Sequence, residues 1–255
     1  MINVYNSNSH NGSIVERMER KFFVPPQNID RARMLLRHLC LPDTLYPKEQ
    51  INSLYFDTAD LEEYEASDSG ELQKRKIRIR WYHTITHYTE NVPVFLELKS
   101  RKGFAGSKQR QQMQVAVDFL KAENLYKGIV PASALIDILA AFGYYPQKPL
   151  QPVIVISYLR DRFIEPSSGQ RVALDYHIHS TMIDYRYRGI SDLNLAGGVI
   201  EVKGRSLELP PTLRNMHLLD IDWGRFSKYS SCLDAHFSSR ETTGQMWPSG
   251  KNNPN

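Results

Sequence analysis

Eight segments of the chain, at about 14–24, 50–57, 72–83, 92–101, 109–117, 151–164, 171–180 and 198–205, alternate apolar and polar residues with a period of two. That period puts successive side chains on opposite faces of an extended strand, so the chain is built mainly on β-sheet. Three segments follow a helical period instead. Over 28–40, Ala32, Leu35, Leu36 and Leu39 form one stripe with Pro42 beyond it; 131–142 has Pro131 at its start and Gly143 after it. Tyr229, Cys232, Leu233, His236 and Phe237 repeat the stripe later. No linker rich in Pro, Gly or Ser divides the series, which predicts one domain over 14–238, with polar tails at 1–13 and 239–255 expected to be disordered.

The polar faces of these strands carry charge of both signs. In VFLELKSR, Val94, Leu96 and Leu98 oppose Glu97, Lys99 and Arg101; in GVIEVKGR, Ile200 and Val202 oppose Glu201, Lys203 and Arg205. Tyr158, Arg160 and Arg162 fall together on another strand, as do Asp175, His177 and His179 on the next. A wet outer sheet face explains any one of these. Repetition points instead to a sheet curled with its charged faces inward and its apolar faces covered by helices. The expected fold is α+β: an antiparallel β-tunnel of about eight strands with a polar interior, covered by amphipathic helices.

The run ELQKRKIRIRWY is the most demanding of the strands. Lys74, Lys76, Arg78 and Arg80 share one face, while Ile77, Ile79 and Trp81 share the other. Same-face neighbours lie roughly 6.5–7 Å apart, and unit charges at that distance repel by about 2 kcal/mol at an effective dielectric of ~20. The row therefore faces water or receives a polyanion. The formal net charge is only +4, from 32 Lys+Arg against 28 Asp+Glu, so any strong positive field is local, and the chain is not a polycation that coats nucleic acid.

Three Glu-x-Lys pairs stand on these strands: Glu19 with Lys21, Glu97 with Lys99, and Glu201 with Lys203. Spacing i, i+2 sets each carboxylate beside an ammonium on one face. Carboxylate oxygens suit a hard divalent cation, and Lys and Arg suit the phosphate oxygens such a cation bridges. Ordinary cross-strand ion pairing is the competing explanation. Asp175, His177 and His179 form an Asp-x-His-x-His series, of which Asp175 is kept as a candidate carboxylate ligand.

Taken in order, MERKF (18–22), SLYFDT (53–58), KIRIRWY (76–82), FLELK (95–99), SYLRDRF (157–163), IEVK (200–203) and RFSKY (225–229) resemble the VTC (vacuolar transporter chaperone) polyphosphate polymerase domain. This is a member of the CYTH-like triphosphate tunnel metalloenzymes, and the likeness covers nearly all of 15–238. It implies that Lys21, Arg78, Arg80, Lys99, Lys108, Arg160, Lys203 and Lys228 are phosphate-binding cations. Six of them, Arg78, Arg80, Lys99, Arg160, Lys203 and Lys228, are implied to carry catalysis. Tyr158 and Ser227 are implied to bond phosphate oxygens, Glu201 to bind the metal, and Glu97 to be a second tunnel carboxylate. Lys108 is read in a loop, KGFAGSKQR, that also offers Arg110. The wider superfamily often begins Glu-x-Glu-x-Lys, where this chain has Arg17, Glu19 and Lys21.

The implied activity is a manganese- or magnesium-dependent transfer of the γ-phosphoryl group of ATP to a growing inorganic polyphosphate chain. A triphosphatase of the same fold and a non-catalytic polyphosphate-binding module are the alternatives. Trp81 falls on the apolar face, away from Arg78 and Arg80, which argues against an RNA reader that stacks bases on its binding face. No nucleophile elbow, Cys/His dyad or nucleotide P-loop is present. Cys40 and Cys232 lie in apolar surroundings that suit buried reduced thiols, and no stretch approaches the ~18 apolar residues of a membrane span. A cytoplasmic protein is expected, binding ATP and polyphosphate but no nucleic acid, without membrane insertion. Any coupling to a membrane would come from a separate partner.

Overall fold

The computed structural model describes residues 18–82, 90–103, 105–187, 192–205, 208–219, 221, 223–224 and 226–238. Both tails, residues 14–17 of the first expected strand and Arg17 with them, lie outside the described residues. In chain order the elements are β1 (Met18–Val24), α1 (Ile29–Leu39), β2 (Leu41–Pro42), β3 (Lys48–Asp57), α2 (Glu62–Asp68), β4 (Gln73–Tyr82), β5 (Asn91–Lys102), β6 (Ala105–Ala116), α3 (Ala132–Ala141), β7 (Gln151–Ile164), β8 (Arg171–Met182), β9 (Leu193–Gly204), α4 (Pro211–Arg214) and α5 (Lys228–Ser238).

This is an α+β fold on a nine-stranded antiparallel sheet, in the order β1-β9-β8-β7-β3-β4-β5-β6, with β2 paired to β7 off that path. All eight alternating segments are strands. The ninth, β2, is two residues long, too short to show a period. The sheet is not closed: its order ends on β1 and β6, and among the described residues no ladder joins them. At β1 the outer edge is shielded, since Gly224 N–H donates to the Lys21 carbonyl at 3.0 Å and Trp223 bridges to Phe22. At β6 the edge carries Lys108 and Arg110, charges that discourage pairing with another chain.

Contacts group the chain into two compact units. The first comprises Glu49–Ser157 and Ser180–Asp192. Its core is the apolar face of β3 to β6, where Leu54, Ile77, Ile79, Trp81, Val94, Leu96 and Met113 are buried. Leu135, Ile138 and Leu139 of α3 cover that face, and Gly143, at φ +77°, supplies the left-handed residue that ends the helix.

The second unit comprises the described residues up to Lys48, Tyr158–His179 and those from Leu193 onward. Here Phe22 and Val24, Val172, Leu174 and Tyr176, and Ile200 and Val202 form the apolar face, with Ala32 and Leu36 of α1 packed on it. The stripe expected over 28–40 is therefore the buried face of α1. In α5, Tyr229, Cys232 and Leu233 are buried as their spacing implies. Both cysteines are free thiols inside the protein. Among the described residues, no helix is long and apolar enough to cross a membrane.

Candidate functional site

Because strand register decides which polar side chains meet, each unit gathers one charged group on the face opposite its core.

In the first unit, β5 lies between β4 and β6, so that Arg78 and Arg110 flank Glu97 while Lys76 and Lys108 flank Lys99. Glu97 is only 1% exposed. Arg78 grips it with Nε at 2.9 Å and Nη2 at 2.7 Å from the same oxygen, Oε2. Arg80 stands 3.9 Å away, Lys108 Nζ lies 2.7 Å from Oε1, and Arg110 Nε lies 3.5 Å from Oε1. Four positive charges thus converge on one negative charge. Burial pushes the Glu97 carboxyl up, but Arg78, Arg80 and Lys108 outweigh it and hold it well below the usual carboxylate range. The Lys108 ammonium is pushed down to about 8, by burial first and by the repulsion of Arg78 and Arg80, against the pull of Glu97. Tyr55, from β3, donates no charge but accepts from Arg78 Nη1 at 3.0 Å and fixes that guanidinium from its other edge.

Lys108 lies on β6, directly across from Lys99, not in a loop, because the strand begins at Ala105. Arg110, two residues on, shares the same face, and both side chains reach Glu97. Lys74 leaves the row, its ammonium donating to the Ser67 carbonyl at the end of α2.

In the second unit, β1 and β9 run antiparallel with Glu19 opposite Lys203 and Lys21 opposite Glu201. The two Glu-x-Lys pairs therefore neutralise each other crosswise: Lys203 Nζ is 3.3 Å from Glu19, and Lys21 Nζ is 3.9 Å from Glu201. Lys21 also donates to the Phe226 carbonyl at 3.0 Å. For these strands the cross-strand ion pair is the local arrangement. Arg160, from β7, carries the network further. It binds Asp175 through Nε at 2.5 Å and Nη2 at 2.7 Å, and Glu201 through Nη2 at 2.9 Å. Lys203 adds a bond of 3.1 Å to Glu201; Lys228 pairs with Asp175 and lies 3.5 Å from Glu201. Tyr158 lies beneath this group, its ring centroid 4.7 Å from Lys228 Nζ and 5.6 Å from Arg160 Cζ.

Burial alone would raise both carboxyls here. Lys203, Lys228, Arg160 and Lys21 outweigh it for Glu201, and Arg160 and Lys228 for Asp175, so both are held below the ordinary range. Lys228 is raised in turn, Asp175 and Glu201 overcoming the cost of its burial. Ser227 is the cap of α5: its Oγ accepts from Ser230 N–H at 3.2 Å, which starts the helix at Lys228 and aims that ammonium.

The two groups differ in chemistry. Glu97 with Arg78, Arg80, Lys108 and Arg110 carries a formal +3 and suits a polyanion. The second group has Glu19, Asp175 and Glu201 among four cations and is closer to balance, with two ionised carboxylates held by one guanidinium. A magnesium or manganese ion bound together with phosphates asks for one or two protein carboxylates; Asp175 and Glu201 are of that donor type, and such an ion would displace the Arg160, Lys203 and Lys228 contacts that now occupy their oxygens. Among the described residues, no group of three or more His, Cys, Asp and Glu is spaced to hold an ion unaided, so ligand oxygens would complete its shell. His177 sits at φ +50° on β8 beside Tyr176, outside both groups.

Every residue expected at the site falls in one of these two groups or beside it, and Glu97 stands in a different unit from the other candidate ligands. Sequence reasoning passed over Tyr55, which lies within the SLYFDT segment, and treated Arg110 only as an alternative.

Comparison with known proteins gives three results. A model of the VTC domain matches residues 16–237. Among solved structures, a candidate adenylate cyclase from Bacillus halodurans superposes with a TM-score of 0.51 at 18% identity, covering 83% of this chain and 95% of that one. Another candidate adenylate cyclase, from Vibrio parahaemolyticus, gives a TM-score of 0.44 at 11% identity over 86% and 98%. The first of these, at such identity, is a likeness of fold. No curated protein matches the sequence.

Proposed function

The chain belongs to the VTC domain family, and from that premise we propose that it is a polyphosphate polymerase, a phosphotransferase that moves the γ-phosphoryl group of ATP onto inorganic polyphosphate. The observation that carries this reading is the group around Glu97, where four cations share one buried carboxylate. Phosphoryl transfer suits such a group, because catalysis there comes from positioning and from neutralising oxygen charge, with no protein nucleophile required.

Arg78, Arg80, Lys99 and Lys108 bind phosphate oxygens, Arg78 through a planar fork that Tyr55 and Glu97 already orient and Arg80 through one that Ser53 holds. Arg160, Lys203, Lys228 and Lys21 do the same in the second group, with Tyr158 beneath them and Ser227 setting the start of α5. Asp175 and Glu201 are the residues that would hold manganese or magnesium, with Glu19 at their edge; when bound, the ion supplies positive charge to the phosphate oxygens. A terminal phosphate oxygen of the acceptor chain attacks the γ-phosphorus as its bond to the β-bridging oxygen breaks, which releases ADP and lengthens the chain by one unit. ATP and polyphosphate are the ligands, nucleic acid is not, the protein acts in the cytoplasm, and any link to a membrane is made by a separate partner.

Incubation with ATP and manganese tests the proposal. A ladder of polyphosphate on a gel, with ADP in equal amount to the units added, is the expected result. Free phosphate without a ladder would make the protein a triphosphatase, cyclic AMP with pyrophosphate would make it a cyclase, and binding without turnover would leave a polyphosphate-binding module.

A further inference from the structure

On the charged face of the first unit, one strand step from Glu97, the polar row ends in aromatic rings. Phe95 shares the Glu97 face of β5, and Tyr82 shares the Arg78 and Arg80 face of β4. Their ring centroids are 5.7 Å apart in an edge-to-face arrangement, at 68°. The guanidinium of Arg110 lies over Phe95 with Cζ 3.6 Å from the ring centroid. It is held twice more, by an ion pair to Glu97 Oε1 at 3.5 Å from Nε and by a hydrogen bond from Nη2 to the Tyr82 hydroxyl at 3.3 Å. The side chain remains 39% exposed.

Close stacking on an aromatic ring sets Arg110 apart from Arg78, whose Cζ lies 5.7 Å from the Tyr55 ring centroid. A guanidinium binds phosphate through N–H groups in its plane, and one of these is given to the Tyr82 hydroxyl, with Glu97 as an ion-pair contact beside Nε. One flat face is spent on Phe95. The opposite flat face cannot donate to an oxygen but stacks well on a flat π-system. We propose that Arg110, laid on Phe95 and edged by Tyr82, is the stacking platform for the purine base of the bound nucleoside triphosphate. Same-face positions one strand step apart are roughly 6.5–7 Å from each other, so a triphosphate lying on Arg78 and Lys108 has its nucleoside end within reach of this shelf. The inference rests on the reading of the Glu97 group as a triphosphate site, and it adds what that reading lacks, a means of telling a nucleotide from bare polyphosphate.

Calorimetric titration of the full chain with ATP and with tripolyphosphate, at fixed manganese, tests it on the wild type, Phe95→Leu and Arg110→Lys. Lysine keeps the charge and loses the plane. Base stacking on such a shelf is worth about tenfold in affinity, about 1.4 kcal/mol. Phe95→Leu is therefore expected to bind ATP about tenfold more weakly and tripolyphosphate within about threefold of the wild type, and Arg110→Lys to lose more affinity for ATP than for tripolyphosphate, with circular dichroism melts confirming the fold. Equal losses for both ligands would make Arg110 a phosphate-binding cation and overturn the inference alone, as would ATP affinity untouched by either substitution. Wild-type protein that binds no tripolyphosphate would overturn the triphosphate reading and this one with it.

Discussion

Glu97 is the residue on which the first unit's charged group depends. A carboxylate 1% exposed is costly to bury, and it is tolerated because cations on β4 and β6 reach it from both sides. The dependence is mutual, since without it four positive charges on adjacent strands face one another directly. Glu97→Gln keeps the shape and removes the charge, and is expected to destabilise the protein by about 3 kcal/mol. A bound polyanion would restore the missing negative charge, so tripolyphosphate should raise the melting temperature of the variant by more than it raises that of the wild type. Thermal melts with and without the ligand measure both effects; a variant that melts with the wild type, or gains less from the ligand, contradicts this account. Glu97 and its cations were legible one strand at a time, because alternation alone assigns their face. Which cation meets which carboxylate was not, because that is set by register between strands, and alternation is unchanged when a strand slides by two residues.

Elements were legible where they carry a period and hidden where they do not. All eight alternating segments are strands, whereas α2 escaped notice because EEYEASD has no apolar stripe. That helix is held from outside its own sequence. The Asp57 carboxylate accepts from the N–H groups of Thr58, Glu63 and Tyr64, and Leu61 enters the helix at φ +57°. In β9 the informative residues are the ones without side chains. A Cβ on Gly198 would stand 2.5 Å from the Asp175 carbonyl oxygen and 2.7 Å from Ile29 Cδ1, and one of those is backbone that cannot swing away. Gly198→Ala is expected to cost about 1–3 kcal/mol in denaturant unfolding. Because the backbone it pushes belongs to Asp175, the same variant should also weaken manganese binding, which titration in the absence of nucleotide would show. Unchanged stability would mean that β8 and β9 are not packed this closely.

At the scale of the whole molecule, a modest net charge of +4 hides carboxylates whose ionised form the fold requires. Glu97, Asp175 and Glu201 are all held below the ordinary range, despite burial, by the cations around them. Glu165 joins them for a different reason: burial pushes it up, but the hydroxyls of Ser168, Thr212 and Ser167 and the Ser168 N–H bring it down to about 2. Glu63 opposes the trend, raised by burial. The linkage has a definite sign. A carboxyl whose folded pKa lies below its unfolded value of about 4 contributes stability that is complete above that value and is lost as pH falls through the folded one. With these four carboxyls and the more exposed Asp43 and Asp60 depressed against one raised, the melting temperature should be nearly level from pH 7 to about 5 and should fall steadily from about 4.5 to 2, the limit for Glu165, and further below it as Glu97 is protonated. Replacing Glu165 by Gln should make the fall between about 4 and 2 shallower without shifting its onset, because in the unfolded state the remaining carboxylates still begin to protonate near 4. Melting curves at fixed ionic strength across this range decide the matter, and a protein whose stability holds level down to pH 2 would mean that these carboxylates are not paired as described.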